Sequence, residues 1–194
     1  MNKNKKINKL ILASSSKNRE NILKKMKIPF EVFTPEVDEK SLLNEKPQQL
    51  VKRLSYEKAI VAKRKYKKYN IIAADTIVFA RKKIVDKTTD INQAKLNLKI
   101  LSGRRHRVFT GLTFIKNDNR FYQYVCKSII KFRVLSENDI DKYLQLNEWK
   151  NCAGSYSIQG FAESFIEMIS GSYSNVIGLP MHITFKILKN NKLI

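Results

Sequence analysis

Asp75 sits inside the apolar run "IIAADTIVFA", where an unpaired carboxylate would be costly to bury. A strand with an acid in its interior generally reaches a cleft there, and the carboxylate serves as a base, a metal ligand or an ion-pair partner. The alternative is an acid that ends the strand and accepts from nearby backbone amides. Lys58 falls on the apolar stripe of the preceding segment, four residues after Leu54 and three before Val61. It either snorkels to solvent or turns inward toward a carboxylate or phosphate. Near the start, "LILASSSKNRENILKKM" runs from a short apolar stretch through three serines into a basic amphipathic segment. A helix start leaves backbone N–H groups unpaired and its dipole favours an anion, and small residues let a phosphate approach. Ser16 reads as the helix cap, and Arg19 in the first turn can make a bidentate phosphate contact. Glu39 in "EVDEKS" and Lys87 after "KKIVD" are loop residues that say little alone.

These residues need elements to hold them. "LILA" reads as a buried strand, and Ile22, Leu23 and Met26 follow at helical spacing. "IPFEVFTP" is a second strand closed by Pro35. Pro47 opens a helix whose stripe is Leu50, Val51, Leu54, Val61 and Ala62. "IIAADTIVFA" is a central strand covered on both faces. A helix follows Thr89 or Asp90, with Ile91, Ala94, Leu98 and Leu101 on one face and Gly103 as its stop. "HRVFTGLTFI" and "FYQYVCKSIIKFRVL" pair as a hairpin through Asp118 and Asn119, and "SEND" caps a further helix. "FIEMI" is another apolar strand, and Pro180 opens a last helix. Helices alternate with strands, yet some strands pair directly, which predicts an α/β fold with a mixed central β-sheet flanked by helices.

Composition narrows the class. A basic tail over residues 1–9 precedes one domain over residues 10–194, and 194 residues suffice for a substantial core. The apolar part of the opening is only "LILA", too short for a secretory core, and no run approaches a membrane span, so the cytosol is the expected compartment. Cys126 and Cys152 have neither metal-ligand spacing nor a disulfide framework, and His106 and His182 do not suggest zinc. The formal charge of +21 invites a nucleic-acid partner. Its lysines are spread along the chain, however, as an A/T-rich coding sequence would give, so nucleic acid is not the expected partner.

With those positions laid out, the chain resembles the Maf family of nucleoside triphosphate pyrophosphatases. The resemblance rests on "LILASSS" with Arg19, "VDE", "RLSYEKA", "AADTIV", "LSGRRHRVFTG", "AGSYSIQG" and "GSYSNVIGLP", in family order from about Leu10 to Leu188. It implies hydrolysis of the α–β anhydride of a nucleoside triphosphate to the monophosphate and pyrophosphate, as housekeeping of nucleotide pools. It also implies an elongated two-lobed fold with a central cleft, like that of inosine triphosphate pyrophosphatases, a divalent cation (Mg2+ or Mn2+) and a homodimer. Asp75 matches the proton acceptor, and Glu39 the second acid, both as metal partners. Ser14, Arg19, Lys58 and Lys87 match phosphate-side positions.

Substrate choice is readable in the same way. One branch of the family resembles a dTTP/UTP pyrophosphatase, with Thr after the catalytic Asp and Gln in an "IQG" segment; Thr76 and Gln159 fit it. CTP and modified pyrimidine nucleotides are further candidate substrates. A branch acting on 7-methyl-GTP differs at both positions. The third specificity position, usually the first arginine of "SPRR", is Asn18 here, and Lys17 replaces the proline. The family's "GKP" is "DKT", which keeps Lys87 and sets Asp86 beside it as a pairing partner. The competing expectation is a nucleotide- or nucleic-acid-binding protein without turnover, against which the retained Asp75, Glu39, Arg19, Lys58 and Lys87 argue.

Overall fold

The computed structural model describes residues 9–194, so the tail expected over residues 1–9 lies outside the described residues except for Lys9. Seven strands and six helices follow in the order β1 (Leu10–Ala13), α1 (Lys17–Lys24), β2 (Glu31–Phe33), α2 (Pro47–Lys65), β3 (Asn70–Ala80), β4 (Lys83–Val85), α3 (Ile91–Leu101), β5 (Arg105–Ile115), β6 (Phe121–Phe132), α4 (Glu137–Gln145), β7 (Ile166–Ser170), α5 (Tyr173–Ile177) and α6 (Met181–Asn190). One mixed sheet runs β2-β1-β3-β5-β6-β7, with β4 also paired to β3. The first three strands are parallel and the rest join antiparallel. Among the described residues no helix is long and apolar enough to cross a membrane.

The register of β3 makes the opening in which the acid stands. On one side β3 pairs with β5 from Ile71 to Phe79. On the other, β1 pairs only with Asn70–Ala73 and β4 only with Val78–Ala80. Residues 74–77 therefore have no strand neighbour on that side, and Asp75 and Thr76 lie in the gap. Side chains alternate along a strand, so these two point to opposite faces.

Helices cover both faces. Ala59 and Ala62 of α2 pack on Ile11, Ile71 and Ala73, while Val51 and Leu54 pack on Ile77 and Phe109. On the other face Ile22 and Leu23 of α1 and Leu188 of α6 meet Leu12, Ile72 and Phe114. Beyond the gap, α3 and α4 enclose Val78, Val108, Phe132 and Trp149. The approach of α2 is fixed by Gly111, the β5 residue opposite Asp75. A β-carbon at Gly111 would lie 2.0 Å from the Val51 carbonyl oxygen, so a glycine is what lets the helix backbone touch the sheet.

Local sequence explains the element ends. Pro47 occupies the first turn of α2, and Gln49 Oε1 accepts the Lys46 N–H at 2.9 Å. Asp90 caps α3, Ser16 caps α1, and Ser136 and Asp139 form a reciprocal capping box on α4. Two expectations need correction. The first helix ends at Lys24, leaving Met26 outside it, and Val61 is only half-buried. The "FIEMI" strand is present as β7, but it pairs only with β6 and is largely exposed, as an edge strand is. The short elements β4 and α5 have no counterpart among the elements expected from the sequence.

Two buried basic side chains are held differently, Lys63 by carbonyl oxygens and His106 as a neutral imidazole. The Lys63 ammonium lies within 2.8–3.3 Å of the carbonyl oxygens of Lys67, Tyr69, Lys116 and Asn117, closing the β5–β6 turn onto α2. His106 Nε2 meets the Tyr156 hydroxyl at 2.9 Å, and burial, partly offset by the Arg104 backbone, pushes the imidazole down to about 4. An unfolded histidine titrates near 6.5, so the unfolded chain binds more protons between pH 6.5 and 4. Stability is therefore lost as pH falls through that window, by about 3 kcal/mol at its lower end. Urea unfolding of wild type and His106→Gln across this range should give a difference that shrinks toward acid pH; parallel curves would refute the assignment.

Candidate active site

All nine residues singled out in the sequence (Ser14, Asn18, Arg19, Glu39, Lys58, Asp75, Thr76, Lys87 and Gln159) line one cavity of about 1470 Å³ that includes the gap beside β3. On the α2 face four of them form a chain of ion pairs. Lys58 Nζ lies 2.5 Å from Asp75 Oδ1 and 2.6 Å from Glu39 Oε1, and Lys87 Nζ lies 2.5 Å from Glu39 Oε2. Lys58 and Asp75 are each only 6 % exposed, so the inward reading of Lys58 holds and solvent weakens this pair little. Lys87 thus pairs with Glu39 rather than with the neighbouring Asp86.

The arrangement follows from α2. Its stripe buries Lys58, and five residues earlier Arg53 reaches the loop that carries Glu39. Arg53 Nη2 donates to the Lys40 carbonyl at 2.9 Å, and Arg53 Nε to Glu45 at 2.8 Å. One helix therefore supplies the central cation and anchors the acid that shares it. Burial pushes the Glu39 carboxyl up, but the hydrogen bonds from Lys58 and Lys87 outweigh it and bring it to about 2. Asp75 Oδ2 has no hydrogen-bond partner among the described residues, and its residue lines the cavity.

Arg19 organises the opposite face. Its Nε donates to the Gly178 carbonyl at 2.8 Å, Nη1 to Ser14 Oγ at 3.1 Å and Nη2 to Thr76 Oγ1 at 3.1 Å. A guanidinium has five N–H groups, so two remain for an anion. Burial holds its pKa below the ordinary value, with Asp75 and Glu39 opposing. Ser14 Oγ accepts from both Arg19 and the Ser16 N–H; with both lone pairs engaged, its own proton is the group left to offer. Thr76 Oγ1 accepts from Arg19 and lies 2.9 Å from the Thr110 hydroxyl and 3.4 Å from the Gly178 carbonyl oxygen, while the Thr110 hydroxyl also lies 3.0 Å from the Asn175 carbonyl oxygen.

Thr110, Asn175 and Gly178 were not singled out in the sequence. Asn175 is fully buried, and its amide donates to Ser128 Oγ at 2.9 Å and the Val108 carbonyl at 3.3 Å. The signal was an asparagine set among apolar residues in "SNVIGLP", a sign of a buried polar group with partners. Gln159 is exposed at the tip of a turn closed by the Gly160 N–H to Ser157 carbonyl bond, and Asn18 is half-buried in the first turn of α1.

Comparison with known proteins identifies the family. A family model described as "Maf-like protein" matches residues 9–191. A nucleoside triphosphate pyrophosphatase of Rickettsia felis is 44% identical over 193 residues, covering 97% of this chain and 95% of the relative. Another from Rickettsia typhi is 45% identical over 184 residues, covering 92% and 81%. Among solved structures, the Staphylococcus aureus Ham1 protein aligns with a TM-score of 0.40 at 15% identity, over 64% of this chain and 71% of that one.

Proposed function

The chain belongs to the Maf family of nucleoside triphosphate pyrophosphatases, and from that premise we propose that it hydrolyses dTTP and UTP at the α–β anhydride with Asp75 as proton acceptor. The observation that carries this reading is the division of labour on one carboxylate: Oδ1 is held by Lys58 while Oδ2 is left free at the cavity. Water attacks the α-phosphorus, its proton passes to Asp75 Oδ2, and the bond to the bridging oxygen breaks to release pyrophosphate. Lys58 and Lys87 offset the charge that gathers on the leaving group, and Ser14 and Arg19 donate to phosphate oxygens with the hydrogens they have free.

A divalent cation fits the donor chemistry. Asp75 and Glu39 offer only hard carboxylate oxygens, as Mg2+ or Mn2+ prefers. Among the described residues no group of three His, Cys, Asp or Glu can hold a metal; Asp75 and Glu39 would hold the ion from the protein side, and it would supply polarisation of the substrate phosphate. Lys58 and Lys87 pair with both acids in the structure.

Base choice falls to the other face. Thr76 offers a hydroxyl toward the thymine or uracil edge, and Gln159 and Asn18 line the same cavity. Asn18 is shorter than the arginine that the family resemblance implies at this position and carries no charge, so modified pyrimidines belong in the proposed substrate range. The same proposal includes a homodimer acting on the cytosolic nucleotide pool. The test is pyrophosphate release over a panel of standard and modified triphosphates, with Mg2+ or Mn2+ and with EDTA. Turnover of dTTP and UTP above GTP, ATP and 7-methyl-GTP, abolished by EDTA, is expected. Preference for 7-methyl-GTP would overturn the branch, and DNA or RNA binding without turnover of any triphosphate would favour the binding-protein reading.

A further inference from the structure

Gln159 lies on an exposed turn, yet the turn is fastened at both ends to α4 and the segment that follows it. At its start the Ser157 N–H donates to the Tyr143 hydroxyl at 3.0 Å, and Tyr143 is a fully buried residue of α4. At its end the Phe161 N–H donates to Glu148 Oε2 at 2.8 Å, just beyond the same helix. The Phe161 ring stacks on Tyr143 with centroids 6.4 Å apart and planes 22° apart. Between the two fastenings, a β-carbon at Gly160 would lie 2.0 Å from Glu148 Oε2. The backbone angles at Gly160 suit any residue (φ −118°); a side chain there would have to push aside the Glu148 carboxylate, the end of a flexible side chain. Glu148 lies outside the ion pairs that hold α4, which join Lys95, Lys99 and Arg133 to Glu137, Asp141 and Asp139.

We propose that Glu148 and Tyr143 are positioning residues for substrate choice: they clamp the 157–161 turn so that Gln159 is held at a fixed height over the base end of the cavity. The clamp touches neither the phosphates nor Asp75, so it acts on binding of the base and not on the chemical step. A carboxylate accepting a backbone N–H is a strong, directional restraint, and Gly160 lets it come close enough to act. The proposal rests on the base-reading role given to Gln159 above.

The experiment compares kcat and KM for dTTP, UTP, GTP and ATP in Glu148→Ala, Glu148→Gln, Gly160→Ala, Tyr143→Phe and Gln159→Ala, together with hydrogen exchange at the Ser157 and Phe161 amides. Glu148→Ala should raise KM for dTTP and UTP about tenfold with kcat within about twofold, narrowing the preference over purines, as expected for one lost hydrogen bond. Gly160→Ala, which displaces the carboxylate, should do the same. Glu148→Gln keeps an acceptor oxygen and should restore wild-type KM, an outcome that a purely electrostatic role would not give. Tyr143→Phe, which retains the ring and the packing, should speed exchange at Ser157 alone. An unchanged substrate preference in Glu148→Ala despite faster exchange at Phe161 overturns the clamp's role in substrate choice. An unchanged preference in Gln159→Ala overturns instead the base-reading role on which it rests, and the exchange data separate the two failures.

Discussion

Asp75→Asn should lower kcat by about a thousandfold, within the range for loss of a positioned general base, while KM and the unfolding midpoint stay near wild type. Asparagine has the same shape and keeps an oxygen to accept from Lys58, so the buried contact at 2.5 Å is retained in neutral form. Lys58 also keeps Glu39 at 2.6 Å, so its ammonium is not left alone. What disappears is the basic oxygen at the cavity. A loss confined to kcat marks an interaction made in the transition state. Pyrophosphate release under saturating dTTP, with thermal unfolding on the same sample, measures both quantities. Activity within about tenfold of wild type would remove the proton-acceptor role. Recovery at raised Mn2+ would reassign Asp75 as principally a metal ligand.

The second large effect concerns stability. Gly111→Ala places a β-carbon 2.0 Å from the Val51 carbonyl oxygen and 2.4 Å from its carbonyl carbon, both helix backbone. No side-chain rotation can relieve that overlap, so α2 has to move away from β5. Ordinary overpacking costs about 1–3 kcal/mol, and a backbone clash should reach or exceed the upper value. Because α2 carries Lys58 and Arg53, the surviving folded fraction should also lose activity. Urea unfolding and the yield of soluble protein test this; a change under about 0.5 kcal/mol, the size of a neutral surface substitution, would show that α2 does not depend on this contact.

Local patterning explains which parts of the site were legible before the structure. Lys58 and Leu54 share a stripe because helical spacing puts them there, and Asp75 stands out because a carboxylate in an apolar strand needs a reason. Ser16 as a cap and Arg19 in the first turn follow from the chemistry of helix starts. The meeting of Glu39 with Lys58 and Lys87 is a different matter. It depends on a loop whose course is set by Arg53 holding Lys40 and Glu45, a contact with no periodic signature. Family resemblance, and not the residues alone, marked Glu39, Lys87, Thr76 and Gln159. The short strand β4 and helix α5 carry too few residues to show a period, and the Thr110–Asn175 relay behind Thr76 joins segments distant in the chain.

Asp75 and Thr76 are adjacent in sequence but stand on opposite sides of a wall one backbone thick. Under the proposed roles, Asn18 and Gln159 can drift toward another nucleobase without touching Lys58, Glu39 or Asp75, whereas a change at Thr76 also removes an acceptor from the phosphate-side Arg19. The same economy has a weak point, since inserting one residue into β3 ahead of Asp75 would turn the carboxylate toward Arg19 and away from Lys58. Substitution is therefore the open evolutionary route in this strand, and changes of length are closed.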